Sequence, residues 1–369
     1  MPLDVIRRLV AQDVLLTVLL LSAAGLYALH PQSPDALLKA VPWPTMAVLT
    51  GFVVLVQLLE FSGSVEVLAS QLVRWVNNAR GLYLVFTGLS LWLAMWLTND
   101  ITLLIVLPIT LHTCKLLHWE SRDLLILEAL AVNIGSMWTP VGNPQNIVLW
   151  QAYHPGFLHF MAMMTPLVAG LLLLLLLTIY CIAPDKCRPS HRTSAPQLKS
   201  HWPLIAVGYL LFLGCAEWQH PFAGLGIVVL LLLWRREDWK SLNLQLLLIF
   251  LLMFIDMRLL QQCSAIAARL PYMTASRITT FFCSLGLSQL LSNVPTTLLL
   301  LPQHPPLSAF SYGVNVGGFG LATGSLANLI MLRWPGVPPG LWRRFHLFSL
   351  GFMLIATLYA VSLLSSLRA

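Results

Sequence analysis

The chain has 369 residues, 58% of them hydrophobic and only 9% charged, with a formal net charge of +7. Soluble domains carry about 25% charged residues, so a soluble globular class is excluded and the bilayer is read as the solvent. The basic excess lies in short runs between apolar stretches, which is a membrane-topology pattern, and no basic patch interleaved with aromatics speaks for nucleic acid.

In chain order, Arg7 and Arg8 precede a first apolar segment, 13–30. It is long for a cleavable leader and ends in LYALHPQSP, a poor cleavage string, so it reads as a retained span. A helix needs about 20 apolar residues to cross the hydrocarbon layer. Segments 13–30, 42–60, 123–150, 158–182, 203–217, 222–235, 241–257, 308–332 and 344–365 are read as spans, with 203–217 and 222–235 short for that role. Two further apolar stretches differ. Segment 82–113 is interrupted by Asn99 and Asp100, and segment 274–303 by Asn293 and Pro295. Each half has about 10–14 residues and covers only about 15–21 Å as a helix. Such halves cannot cross; they can enter, turn near the midplane and leave on the same side, provided the bent backbone is buried in protein or lines a wet cavity. With the N-terminus cytoplasmic and both split segments re-entrant, most of the 21 Lys+Arg fall inside, the first hairpin opens to the cytoplasm and the second to the outside.

The chain carries an internal repeat. Thr98-Asn99-Asp100-Ile101-Thr102, with Pro108 beyond, matches Ser292-Asn293-Val294-Pro295-Thr296, with Pro302 beyond, at a constant offset of 194. After each hairpin a second pair follows: NIGSMWTPVGNPQNI (133–147) and NVGGFGLATGSLANL (315–329) share Asn133/Asn315, Gly135/Gly317, Gly142/Gly324 and Asn146/Asn328 at an offset of 182. Because the halves have opposite orientation in the topology above, this is an inverted repeat of the kind found in secondary transporters. Thr139-Pro140-Val141-Gly142-Asn143-Pro144 cannot stay helical, and Asn143 suits a helix cap with Pro144 at the first helical position. Ala322-Thr323-Gly324-Ser325 is the weaker second break, with Ser325 as its expected cap.

The predicted fold class is therefore an all-α polytopic membrane protein, an inverted repeat with two re-entrant helical hairpins and two broken transmembrane helices. The N-terminal repeat spans 1–183, with hairpin 82–113 and broken helix 123–150. The polar stretch 184–202 is a cytoplasmic linker, and the C-terminal repeat spans 203–369, with hairpin 274–303 and broken helix 308–332.

Broken helices expose orphan N–H groups at one half, which attract anions, and orphan carbonyls at the other, which can coordinate a cation. The candidate substrate- and ion-binding residues are Thr98, Asn99, Asp100, Thr102, Thr139, Gly142, Asn143 and Asn146 in the first half. In the second they are Ser292, Asn293, Thr296, Thr323, Gly324, Ser325 and Asn328. Na⁺ is placed near Asn99, Asn143, Asn293 and Asn328; Asn133 and Asn315 supply further amide oxygens. Asp100 is the one carboxylate at a tip, its counterpart being Val294, and an intramembrane carboxylate is a functional candidate by default. Glu128 and Asp256 read as interfacial or packing carboxylates and Glu217 as a loop residue. The six cysteines form no CxxC pair and read as packing residues. No GxxxxGK[ST], GxSxG, HExxH or Rossmann string occurs, so neither an ATP-driven pump nor an enzyme is expected, and no cofactor beyond a coupling ion.

TNDITLLIVLP (98–108), TPVGNPQNI (139–147), SNVPTTLLLLP (292–302) and NVGGFGLATGSLANLI (315–330) together resemble the ion transporter superfamily. That superfamily includes arsenite efflux permeases, sodium/proton antiporters of the NhaD type, citrate transporters and divalent anion:sodium symporters. Within it the chain resembles bacterial inner-membrane proteins of the YbiR type. The resemblance covers roughly 40–365 and implies that the hairpin tips face the broken helices: Thr98, Asn99 and Asp100 toward Gly142, Asn143 and Asn146, and Ser292, Asn293 and Thr296 toward Thr323, Gly324 and Asn328. It also implies a homodimer with an elevator-like movement. Divalent anion symporters carry Ser-Asn-Thr at both tips; a carboxylate at the first tip here fits the arsenite and antiporter branches better.

The expected function is secondary active transport of a small anion or oxyanion across the bacterial inner membrane, coupled to H⁺ or Na⁺ by alternating access. The alternatives are a Na⁺/H⁺-type antiporter centred on Asp100 and, in a different class, a non-transporting receptor or scaffold. The expected partners are the bilayer, a small ionic substrate and a second copy of the chain, with no nucleic acid.

Overall fold

A computed structural model describes residues 14–64, 67–68, 71, 78–117, 119–183 and 201–366. Arg7, Arg8 and most of the expected linker, 184–200, lie outside them. The protein is an all-α polytopic membrane protein, and no strand occurs among the described residues. The helices are α1 (Val14–Leu29), α2 (Pro34–Ala40), α3 (Trp43–Phe61), α4 (Ala79–Leu97), α5 (Asn99–Leu116), α6 (Arg122–Trp138), α7 (Pro144–Tyr153) and α8 (Phe157–Ile182). They continue as α9 (Trp202–Glu217), α10 (Pro221–Trp234), α11 (Gln245–Gln262), α12 (Ser264–Ala267), α13 (Leu270–Met273), α14 (Arg277–Leu291) and α15 (Asn293–Leu300). The last three are α16 (Leu307–Val316), α17 (Leu326–Arg333) and α18 (Leu341–Ser366). Among the described residues, α3, α4, α8, α11 and α18 are long and apolar enough to cross a membrane. This corrects the expected halves of about 10–14 residues in the first hairpin: α4 and α5 have 19 and 18 residues, because each helix runs several residues beyond the apolar stretch 82–113.

The outer helices show why lipid is the solvent. In α18, Phe345, Ser349, Phe352, Ala356, Ala360 and Leu364 recur at helical spacing and are buried, while Leu347, Leu350, Leu354 and Leu358 form an equally apolar stripe on the exposed face. A water-facing helix would carry polar residues there. Its first turn is tied to α6 by Arg344, whose guanidinium donates to both Asp123 carboxylate oxygens.

The packing repeats itself. α4 lies on α6 as α14 lies on α16, and α5 packs against α17 as α15 packs against α7. The pairs α1–α11 and α10–α3 are related in the same way, and α8 and α18, both of 26 residues, pack on each other. Each hairpin therefore rests its first helix on its own repeat's broken helix and its second on the other repeat's.

Helix α9 has no counterpart in that scheme. It pairs with α10 and fills a notch on α3: the Phe212 ring meets Phe52 edge-on at 5.0 Å. A Cβ on Gly51 would lie 1.9 Å from that ring and one on Gly224 2.8 Å, so both glycines serve close approach. The two segments that looked short for spans form this pair, with 16 and 14 residues.

Candidate functional site

Both hairpins turn on one residue. Thr98 has φ 67°, ψ 151° and Ser292 has φ 77°, ψ 160°. Positive φ at a residue with a Cβ is strained, by about 1–3 kcal/mol, and persists only where surroundings enforce it. The break thus falls one residue before the expected Asn99-Asp100 and Asn293-Pro295, and the two asparagines open the outgoing helices. The Asn99 Oδ1 accepts from the Asp100 N–H at 3.0 Å and the Asn293 Oδ1 from the Val294 N–H at 2.9 Å. Each carboxamide so satisfies an orphan donor of its helix start. Pro295 sits in the first turn, where a missing N–H is harmless, and α5 runs on through Pro108. Hydroxyls close both turns: Thr102 donates to the Thr98 carbonyl at 2.7 Å and Thr297 to that of Asn293 at 2.8 Å.

The broken helices share a second device. Asn143 caps α7 as expected, accepting from the Asn146 N–H at 2.9 Å. The Asn146 carboxamide then donates back to the carbonyls of Ser136, Met137 and Thr139 at 3.3, 3.2 and 3.0 Å. Asn328 does the same for the second break, donating to Gly318 at 2.8 Å and Leu321 at 3.4 Å. One side chain per repeat thereby joins two helix ends that would otherwise carry unpaired backbone groups. The glycines fit the same turn: a Cβ on Gly142 would sit 2.2 Å from the Ser136 carbonyl, and one on Gly324 2.5 Å from that of Gly317. Ser325 stands at the cap position of α17, but its side chain makes no cap bond; its Oγ accepts from the Asn99 carboxamide of the first tip at 3.3 Å.

At the centre the repeats exchange bonds. Asn133 donates to the Asn328 Oδ1 at 3.0 Å, and Asn315 donates to the Asn146 Oδ1 at 2.8 Å. Swapping the repeats maps one bond onto the other. Asn143 adds a donation to the Asn315 Oδ1 at 3.0 Å, and the Asn99 N–H donates to the Gly142 carbonyl at 3.0 Å.

Thr98, Asn99, Asp100, Thr102, Thr139, Gly142, Asn143, Asn146, Asn293, Thr296, Gly324, Ser325 and Asn328 are all buried, and Ser292 is half-buried. Thr323 stands apart: it is exposed, and its hydroxyl donates to the Gln289 carbonyl at 2.6 Å. Thr139 makes the matching staple to the Met95 carbonyl at 2.5 Å. These two hydroxyls hold hairpin to break. Sequence reasoning missed Ser136, Gln145 and Gln289. Gln289 donates to the Gly317 carbonyl at 2.7 Å and accepts from the Leu321 N–H at 2.8 Å. Its repeat partner is Met95, so a pattern search for matching residue types passes over it.

Three polar atoms in this buried cluster have no protein partner, the Asp100 Oδ1, the Gln145 Oε1 and the Thr296 hydroxyl. Buried polar atoms are nearly always paired, so each marks a position for water, ion or substrate. Asp100 also lines a cavity of about 620 Å³ between α3, α5, α11 and α17. Among the other carboxylates, Asp256, fully buried in α11, has neither oxygen partnered, and Glu128 leaves its Oε2 unpartnered. Glu128 is fully buried and accepts from the Thr110 hydroxyl at 2.6 Å. Glu217 ends α9, and its carboxylate accepts from the Phe157 N–H at 3.0 Å and the Trp150 indole at 3.2 Å. Among the described residues, no three His, Cys, Asp or Glu side chains gather as metal ligands.

The polytopic bundle encloses two interrupted helices and two bent hairpins, and the proteins it resembles give the class, a membrane transporter. Residues 6–324 match the family described as citrate transporter, and the chain belongs to that family. It is 38% identical to "Inner membrane protein YbiR" of Escherichia coli K12, with 95% of each chain covered. It is 28% identical to "Uncharacterized transporter MJ0456" of Methanocaldococcus jannaschii, covering 82% of this chain and 83% of the other. With "Uncharacterized transporter Rv2684" of Mycobacterium tuberculosis the identity is 25%, over 82% of this chain and 81% of that one.

Proposed function

We propose that the protein is a secondary active transporter that moves a small anion or oxyanion across the bacterial inner membrane, driven by H⁺ or Na⁺. The supporting observation is the reciprocal exchange between Asn133 and Asn328 and between Asn315 and Asn146. Neutral carboxamides can swap partners without stranding a charge in the bilayer, and they sit where the two repeats move past each other. The helix starts at Asn99, Pro144, Asn293 and Leu326 bring partial positive charge toward the same centre, which suits an anion. Buried amide and hydroxyl oxygens beside the Asp100 carboxylate suit a hard monovalent cation or a proton. In this reading the hairpins are re-entrant and open to opposite faces, the N-terminus is cytoplasmic, and two copies of the chain assemble as a dimer. Asn99, Asn143, Asn293 and Asn328 surround Na⁺, while Thr139 and Thr323 position the breaks.

The test is flux into proteoliposomes, with arsenite, citrate, phosphate and sulfate offered in turn under an imposed Na⁺ or H⁺ gradient. Gradient-driven uptake of one anion that is lost in Asp100→Asn supports the reading; no flux of any ion under either gradient sinks it. A second reading, cation/proton antiport, is favoured by the unpartnered Asp100 Oδ1. It expects Na⁺- or Li⁺-dependent proton release without any anion present. A receptor or scaffold role expects neither.

A further inference from the structure

The second break is held from outside its own two helices. Three consecutive N–H groups of its loop end on three side chains. Gly320 donates to the Ser349 hydroxyl at 2.8 Å, Leu321 to the Gln289 Oε1 at 2.8 Å and Ala322 to the His346 Nε2 at 3.2 Å. Gln289 belongs to the second hairpin, and Ser349 and His346 belong to α18. Of these acceptors only an imidazole changes its charge between about pH 5 and 8.

The partners fix the state of that ring. A backbone N–H can only donate, so Nε2 carries no proton. A carbonyl can only accept, so Nδ1, 2.7 Å from the Trp342 carbonyl, carries one. A second proton can enter only at Nε2, where it turns the acceptor of the Ala322 N–H into a donor and ends that bond. The rest of the setting tolerates the charge. Nδ1–H keeps its carbonyl, and the Trp342 ring stacks on the imidazole at 6.0 Å and 22°, offering a face that attracts a cation. The imidazole is half-buried beside the exposed Trp342 and Arg343, whereas Ala322 is buried.

The other titratable groups around α18 have bonds of their own. Arg344 binds Asp123 of α6, Glu128 of α6 accepts from Thr110, and Arg122 pairs with Glu120. Tyr180 of α8 faces Arg80, Tyr312 of α16 donates to the Met163 carbonyl, and the one charged residue of α14, Arg277, opens that helix far from Gln289. None of them bonds the imidazole.

We propose that His346 is a proton-binding site that controls the second broken helix. A proton at Nε2 releases the Ala322 N–H, and with it the grip of α18 on the loop that leads through Thr323 and Gly324 to Ser325, the residue bonded to the first tip. The first repeat has no such site. Aligned end to end with α18, α8 has Ala162 in the place of His346, and its Thr165, in the place of Ser349, accepts from the Trp138 indole at 3.0 Å. The site is separate from Asp100 and goes beyond the transport reading: whatever the cargo, one break answers to pH and the other does not.

The experiment reads the loop itself and needs no transported ion, so its failure and the failure of transport are distinguishable. Amide hydrogen exchange is followed by mass spectrometry in the full chain in lipid nanodiscs, on peptides covering 318–325 and 136–143. Each rate is divided by that of an unfolded reference at the same pH. Between about pH 8 and about pH 5.5 the corrected rate of 318–325 is expected to rise about tenfold, as the loss of one buried hydrogen bond allows, while 136–143 stays level. In His346→Gln, whose amide oxygen can take the place of Nε2 without titrating, the rise is expected to vanish. In His346→Phe the loop is expected to exchange fast at both ends of the range. A parent rate that stays level overturns the proposal, as does a rise that persists in His346→Gln. A rise shared equally by 136–143 marks a response of the whole fold and overturns it as well. So does a His346→Phe loop as slow as the parent's at about pH 8, since the bond then holds nothing. If His346→Gln does not elute as the parent does, His346→Phe carries the same test, because a rise in either variant is fatal.

Discussion

The two hairpin tips have one backbone and two chemistries. Thr98 and Ser292 take nearly the same left-handed conformation, and Asn99 and Asn293 turn their carboxamides onto the next N–H in the same way. Next in line stands Asp100 in one tip and Val294 in the other, both buried. The incoming and outgoing helices of the first hairpin have 19 and 18 residues, those of the second 15 and 8. What the repeat preserves is the means of ending and restarting a helix inside a membrane. What it lets vary is the side chain next to the capping asparagine, Asp100 or Val294. The glycines and asparagines of the breaks are therefore expected to govern stability equally in both halves, and the carboxylate to govern ion response in one.

The largest effect is expected at the tight glycines. Gly135→Ala would place a Cβ 2.0 Å from the Leu91 carbonyl, and Gly142→Ala one 2.2 Å from that of Ser136. Neither neighbour is a flexible side chain, so each substitution is expected to destabilise by about 3 kcal/mol, the upper range for overpacking. Gly88→Ala, whose Cβ would meet nothing within 4 Å, is the control and should change little. Thermal midpoints in detergent decide this; a Gly142→Ala protein melting like the control would mean that the break is looser than drawn.

Next come the capping asparagines. Asn146→Ala and Asn328→Ala each strip donors from the end of a broken helix and take away the acceptor of the opposite repeat's asparagine. Leaving buried carbonyls and an amide unpaired costs about 2 kcal/mol in each case. In the double variant Asn146→Ala with Asn315→Ala the losses should not add, because both partners of one bond have gone. Strict additivity would show that this bond contributes little. The hydroxyl staples are weaker and unequal. Thr139→Ala should cost about 1 kcal/mol and Thr323→Ala about half that, since Thr139 is buried and Thr323 exposed. Equal losses would contradict the difference in burial.

Much of this arrangement was legible in the sequence. The constant offsets picked out both tips and both breaks, and Asn143-Pro144 read as a cap because that pair has one good use in a helix. Two things were hidden, for physical reasons. The break sits at Thr98 and Ser292, and Asn99 and Asn293 accept from the next N–H out of the first helical position, which is a matter of side-chain rotation rather than residue type. Ser325 also keeps its place as a cap by position while its hydroxyl turns to Asn99 across 226 residues of chain, a contact that exists only once the repeats are packed. Gln289 was missed because the repeat has Met95 in its place and uses only the backbone carbonyl there.

The smallest effect on stability is expected where the effect on ligands should be greatest. Asp100→Asn keeps the shape of the tip and replaces a buried carboxylate oxygen that has no protein partner, so nothing bonded is lost on that side. Removing an unpaired buried charge is as often stabilising as not, and the midpoint without added ions should move by less than about 1 kcal/mol equivalent. Adding Na⁺ or Li⁺ should raise the wild-type midpoint, since a ligand bound only by the folded state stabilises it by mass action, and should leave Asp100→Asn unmoved. Val294→Asp completes the comparison from the other side. If a carboxylate at that position were enough, it would confer a second ion-dependent shift. It is instead expected to lower stability without creating one, because Val294 is buried in the apolar core and is not among the residues that line the cavity beside Asp100. A gain of ion response in Val294→Asp would show that the tip alone makes the site and that the asymmetry between the hairpins resides in one side chain.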